Sequence, residues 1–312
     1  METPRGRRNN LLGVPVPRGT PEAEIDITVG LVHDLLAEQH PDLADHRLEL
    51  AGHGWDNVIV RIGPDLVTRL PRRQVAADLI LHEQRWLPQL AAGLPLPVAA
   101  PIRVGHPGHG YPWAWSICPW FDGNLAADVR LADSALEATR LGTFLHALHR
   151  AAPADAPRNP FRGQPIEELI PRIRNNLACL DVEREPIEGL IDHLAGVPAW
   201  SKPPVWVHGD LHSANLVVAG GEIAAVLDFG DLTAGDPAVD LAVAWMLFDA
   251  DARRRFRLAA IHVSTDDATW DRARLWGLHF ALVYLRHSSS GMRLARMGRR
   301  LLREVTGHDA AR

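Results

Sequence analysis

Between Val205 and Asp231 the chain reads VWVHGDLHSANLVVAGGEIAAVLDFGD, two apolar runs joined by Gly220-Gly221 with three oxygen-bearing side chains at their ends. A Gly-Gly pair takes up the positive φ values that a tight hairpin turn demands, so the spacing predicts strand, turn, strand. A hairpin returns the chain to its starting end. Asn215, just before the first strand, and Asp228, just after the second, are therefore expected side by side, since paired strands run about 5 Å apart. Their oxygens are hard ligands of the kind Mg2+ takes, and two of them leave positions for water and for substrate phosphates. The segment predicts a nucleotide-metal site.

Composition narrows what such a site can serve. The 312 residues, 46% of them hydrophobic, supply a core for one large domain or two modest ones. A formal net charge of -5 with arginines and acids interspersed offers no basic stripe, so no nucleic-acid partner is expected. No apolar run approaches the ~18 residues of a membrane span, and the amino terminus lacks an apolar signal core, so the expectation is a cytoplasmic protein without membrane association. Cys118 and Cys179 make no metal spacing and are expected as buried, reduced hydrophobes. Lys202 is the only lysine. Phosphate contacts must fall to arginine.

Along the chain, Met1 to Pro21 lacks periodicity and reads as a mobile tail. A helix is predicted from Asp26, with that region supplying the N-cap. Strands follow in HRLELAGHGWDNVIVRIGPDLVTRLPRR with a turn at Gly63-Pro64. Gln74 to Ala92 is predicted as an amphipathic helix carrying Glu83, with further strands near Ala99 to Val104 and Trp113 to Cys118. After the Asp122-Gly123 turn the pattern becomes helical: Ala132 to Arg150, Ile166 to Leu180, Pro186 to Ala195, Pro237 to Asp249, and Asp267 onward. The expected fold class is α+β and bilobed: a small antiparallel sheet plus helix, then a larger, mainly helical lobe. The expected organisation is tail 1–21, nucleotide-binding lobe 22–118, hinge 119–123, and catalytic and acceptor-binding lobe 124–312.

Asp210 stands five residues ahead of Asn215, and Asp228-Phe229-Gly230 follows, in the order of the protein-kinase catalytic loop and metal motif. HGDLHSAN and LDFGDLTAGDPAVDLA resemble the aminoglycoside phosphotransferase family, kinase relatives that include macrolide and choline kinases. The likeness in lobe order extends from about Asp26 to the carboxyl end. The resemblance implies Asp210 as catalytic base, Asn215 and Asp228 as ligands of Mg2+, and His208 as support for the loop. A carboxylate with a reference pKa of ~3.9 is a poor base at neutral pH, but in a loose phosphoryl-transfer transition state the proton leaves late and positioning matters more.

In the first lobe, Arg69 on LVTRLPRR fills the slot of the usual phosphate-binding lysine, with Glu83 on the following helix as its partner; a plain ion pair is the alternative. Arg69 keeps its charge and grips two oxygens at once. GHGWDN is no GxGxxG; Gly54 and Asn57 contact phosphate if this turn folds over them, and otherwise serve the turn alone. The resemblance places Cys118 at the gatekeeper position, with the Pro119 carbonyl and the Phe121 amide offered to a purine base. Asp236 and Asp240 are expected as supports of the loop or caps of the next helix. His146 and His149 are expected at the core edge, and Asp231 either as a solvated acid or beside a cationic acceptor.

The implied activity moves the γ-phosphate of ATP or GTP to a hydroxyl of a small-molecule acceptor, an aminoglycoside first and a macrolide next, with no obligate protein partner. No A-P-E motif follows Asp228, which argues against protein substrates. The alternatives are a metabolic kinase acting on choline, homoserine or a sugar, and a catalytically weak nucleotide-binding pseudokinase.

Overall fold

The computed structural model describes residues 22–260, 266–288 and 291–307; the expected tail 1–21 lies outside them, as do residues 261–265 of the segment after Asp249. Helix α1 (Val29–Gln39) is capped by Thr28, whose Oγ1 accepts Leu31 N–H at 3.1 Å, so it starts three residues later than Asp26 suggested. Strands β1 (Leu48–His53), β2 (Asn57–Ile62) and β3 (Leu66–Pro71) form an antiparallel meander. Helix α2 (Gln74–Ala91) follows, then β4 (Arg103–Gly105) and β5 (Trp115–Pro119). The sheet order is β1-β2-β3-β5-β4.

Alternation explains one face of this sheet. Val58, Val60 and Ile62 are buried at every second position of β2 and share a core with Val32, Leu35 and Leu36 of α1 and with Trp115 and Ile117 of β5. The strand expected over Ala99 to Val104 shrinks to Arg103–Gly105. The preceding backbone is committed elsewhere: Pro97 C=O accepts Val226 N–H at 2.9 Å and Ala99 N–H donates to Val226 C=O at 3.2 Å.

Two compact units emerge among the described residues. The first holds residues up to Pro88 and Ala100–Trp120; the second holds Gln89–Ala99 and everything from Phe121. In the second unit, β6 (Asn124–Leu125) leads through α3 (Ser134–Leu148), α4 (Ile166–Ala178) and α5 (Glu185–Leu194) to β7 (Val205–Val207), β8 (Leu216–Ala219), β9 (Glu222–Val226) and β10 (Thr233–Gly235). These strands make a β6-β8-β9 sheet and a β10-β7 ladder.

The helix expected over Pro237 to Asp249 is broken. It divides into α6 (Ala238–Leu241) and α7 (Val243–Leu247), after which Phe248 turns extended and Asp249 caps a new helix, α8 (Ala250–Ala259), by accepting Ala252 N–H at 2.9 Å. Helices α9 (Asp267–Arg286) and α10 (Arg293–Thr306) close the chain. No helix among the described residues is long and apolar enough to cross a membrane. Of the two cysteines Cys118 is buried, but Cys179 is exposed, contrary to expectation: it sits at the end of α4, past the last residue of its apolar face.

Candidate active site

The hairpin forms as its glycines require, with Gly220 at φ +60° and Gly221 at +87° between β8 and β9. Leu216 pairs with Val226, and the next bond runs from Leu227 N–H to Asn215 C=O at 2.8 Å, which sets Asp228 one residue beyond Asn215's partner. Asn215 Nδ2 donates to Asp210 C=O at 3.0 Å, fixing the amide so that its Oδ1 turns away from that carbonyl. Asp228 is held at φ +60°, a left-handed conformation that Asp tolerates better than most residues. The three predicted residues thus share one hydrogen-bonded loop.

A buried frame supports it. Asp240, fully buried, accepts His208 N–H at 2.8 Å, Gly209 N–H at 2.9 Å and His149 Nε2–H at 3.0 Å. His208 Nε2 donates to Leu227 C=O at 2.9 Å, while its Nδ1 accepts Asp210 N–H at 3.2 Å. One imidazole therefore ties the Asp210 strand end to the residue before Asp228. Its ring lies on Phe229, 4.4 Å between centroids. Gly209 is at φ +85°, and a Cβ there would come 2.5 Å from Asp231 C=O, so glycine is required twice over. Asp236, also buried, accepts Arg272 Nε–H at 2.6 Å and Ala238 N–H at 3.0 Å, serving α9 and the start of α6 together. His149, expected at the core edge, is buried inside this frame, whereas His146 is exposed.

Among the residues that sequence reading missed, Arg162 reaches the most of this loop. Its Nη2 donates to Asp210 Oδ1 at 3.1 Å and its Nε to Asp231 Oδ2 at 3.0 Å. Asn159 Nδ2 donates to the other Asp231 oxygen at 2.7 Å. His212 Nδ1 accepts Ala214 N–H, leaving Nε2 to face Asp210 Oδ2 at 3.5 Å. Burial pushes the Asp210 carboxyl up, but Arg162 and His212 outweigh it and hold it well below the usual carboxylate range. Burial raises Asp231, Arg162 pulls against that, and the neighbouring Asp210 adds to the rise. Asp210 is ionised in this setting. The loop carrying Asn159 and Arg162 docks on β10: Thr233 Oγ1 accepts Asn159 N–H and donates to Pro157 C=O, both at 2.8 Å, and Gly163 C=O accepts Asp236 N–H at 3.1 Å.

In the first unit Arg69 Nη1 donates to both Glu83 oxygens, at 2.8 and 2.9 Å, and both side chains are buried. A pair this deep is no solvated surface contact; stripping one partner from such a pair costs about 3–5 kcal/mol. Gly54 and Asn57 close a tight β1–β2 turn, Gly54 N–H to Asn57 C=O at 2.8 Å, and Asn57 Oδ1 is buried without a partner. Arg72 and Arg73, which the sequence did not single out, brace this turn through Gly54 C=O and Asp56. Cys118 is buried on β5 beside Val67, its thiol pushed up to about 12 by burial. Pro119 ends β5 opposite Leu66, and Phe121 begins the second unit's main stretch, half-buried.

A model of the phosphotransferase enzyme family matches residues 47–276, which overlaps both units and takes in every residue of the loop described above. The chain belongs to the phosphotransferase enzyme family. It is accordingly an enzyme that transfers a phosphoryl group from a nucleotide to an alcohol. Among solved phosphotransferase structures, aminoglycoside 2'-phosphotransferase-IIIa in its GDP complex is 20% identical with a TM-score of 0.67, covering 88% of this chain and 97% of that one. Macrolide 2'-phosphotransferase type I is 20% identical with a TM-score of 0.61, covering 88% and 98%. The macrolide 2'-phosphotransferase MphH from Brachybacterium faecium is 21% identical with a TM-score of 0.58, covering 91% and 99%. These likenesses show the kinase-like α+β fold: an amino-terminal antiparallel sheet with helices, then a helical carboxyl-terminal part. No curated protein matches the chain by sequence.

Proposed function

We propose that this phosphotransferase moves the γ-phosphoryl group of ATP or GTP to a hydroxyl of a small-molecule acceptor, with Asp210 facing that hydroxyl. The observation that carries the reading is the single loop on which Asp210, Asn215 and Asp228 are tied together through Asn215 Nδ2 and Leu227 N–H. Asp210 Oδ1 is taken by Arg162, so Oδ2 is the atom that orients the acceptor O–H. The acceptor oxygen forms its bond to phosphorus as the bond to the β-phosphate bridging oxygen breaks. The hydroxyl proton passes late to Asp210, and the nucleoside diphosphate leaves.

The donor set fits Mg2+. Asn215 and Asp228 offer two hard oxygens from the ends of one hairpin, too few to cage the ion alone and so leaving positions for phosphates and water. Bound there, Mg2+ supplies charge neutralisation at the phosphate oxygens. Arg69, kept rigid by Glu83, is the phosphate-binding cation, with the Gly54–Asn57 turn covering the phosphates and the Pro119 carbonyl and Phe121 amide reading the base. GDP, ADP and ATP complexes of neighbouring folds support a nucleotide donor without choosing the base.

The test is magnesium-dependent release of nucleoside diphosphate from ATP and GTP against aminoglycosides, macrolides, choline, homoserine and amine-free sugars, with an acceptor-free control. Asp210→Asn is expected to lower stimulated turnover by about 10²–10⁴-fold with nucleotide affinity retained. Unchanged turnover would sink the assignment.

A further inference from the structure

Both carboxylates on the acceptor side of the loop are already spoken for by a cation of the chain itself. Arg162 reaches Asp210 Oδ1 at 3.1 Å and Asp231 Oδ2 at 3.0 Å, Asn159 takes the second Asp231 oxygen, and His212 faces the second Asp210 oxygen. The cluster is not sealed: the side chains of Arg162, Asp210 and Asp231 are 22%, 28% and 25% exposed. Its aromatic wall comes from α9, where Phe280 lies under the Arg162 guanidinium at 5.4 Å and Tyr284 meets His212 edge-on at 5.8 Å. Tyr284 is buried and its hydroxyl has no partner. That wall brings no carboxylate. From Arg272 to Arg303 the chain carries eight arginines and no Asp or Glu.

We propose that Arg162 is a specificity residue that fills the cation position beside Asp210, so that the acceptor is a hydroxyl compound bearing no ammonium group next to the reacting oxygen. The inference rests on the reading of Asp210 as the group that meets the acceptor hydroxyl. An ammonium brought to this place finds each carboxylate already paired with the Arg162 guanidinium, and like charges a few ångströms apart repel. A neutral hydroxyl compound meets no such repulsion. Asp231, weighed from sequence as a contact for a cationic acceptor, is the second anchor of the chain's own cation.

The test uses the whole chain saturated with Mg·ATP and two cationic probes. Methylguanidinium is expected to bind Arg162→Ala roughly tenfold or more tightly than wild type, because the vacated space lies between two carboxylates. The gain is expected to vanish in Arg162→Ala/Asp231→Asn. Equal methylguanidinium affinity in wild type and Arg162→Ala overturns the proposal. A measurement needing no variant is calorimetric titration of wild type with kanamycin: binding weaker than millimolar supports the proposal, and micromolar binding overturns it. Arg162→Lys, which keeps the charge, is expected to exclude methylguanidinium as wild type does, and binding there as tight as in Arg162→Ala counts against the proposal. Mg·ATP affinity is read separately; its absence in wild type strikes at the proposed function, whereas the methylguanidinium titrations of the nucleotide-free protein still decide the cation position.

Discussion

His279 illustrates how one buried side chain writes a pH dependence into the molecule. It is buried on α9 with Nδ1 unpaired, and burial, together with Arg162 and Arg172, lowers its ring to about 3. The unfolded chain takes up this proton near its ordinary value of ~6.5, while the folded protein refuses it. The contribution to stability is therefore complete above about 6.5 and is lost as pH falls toward 3, at no more than about 1.4 kcal/mol per pH unit. The depressed Asp210 adds a loss of the same sign only below the unfolded carboxylate range. The melting temperature is expected to fall between pH 6 and pH 4 in wild type and less steeply in His279→Leu; identical slopes would remove His279 as the source. Single residues also show what sequence conveys and what it hides. Asp210, Asn215 and Asp228 were readable because one local hairpin brings them together. Arg162 and Asn159 sit some fifty residues earlier in an aperiodic, proline-rich loop, and only the docking of that loop on β10 delivers them to Asp210.

Helix contacts are set by where side chains are missing as much as by where they are present. Gly142 on α3 faces α8 so closely that a Cβ would lie 2.7 Å from both Ala259 Cβ and Phe256 C=O. In an exposed helix a Gly-to-Ala change gains up to about 1 kcal/mol. Gly142→Ala is expected to reverse that sign and destabilise by about 1–3 kcal/mol through overpacking. Gly189 on α5, with nothing within 4 Å of its Cβ position, is the control in which Ala is neutral or stabilising. Urea unfolding of the two variants separates the cases, and a stabilised Gly142→Ala would contradict the packing. Elements with strong periodicity, α2 and β2 among them, were legible to within a few residues. The break at Ala242 and the new helix begun at Asp249 were not, because the apolar run passes through Ala242 without interruption and the polar stretch after Phe248 carries no marked stop before it becomes helical again.

For the molecule as a whole, nucleotide binding and folding are one equilibrium. A ligand that binds only the native state stabilises by about 2.7 kcal/mol at a hundredfold excess over its Kd. Mg·ATP is expected to raise the melting temperature, and a chelator to remove most of the gain if Asn215 and Asp228 hold the metal; a rise untouched by chelator would detach the metal from binding. The α+β class and the order from sheet-rich to helical could be read from the pattern of elements. The allegiance of residues 89–99 could not, since a short proline-containing stretch carries no period that names its partner. That stretch leaves neither unit an unbroken length of chain. A fragment starting at Phe121 would strip Val226 of both backbone partners, Pro97 and Ala99, two residues ahead of Asp228. A single crossover between the two units therefore parts Val226 from Pro97 and Ala99, and an exchange of the second unit that keeps both bonds must carry residues 89–99 from the far side of β4 and β5.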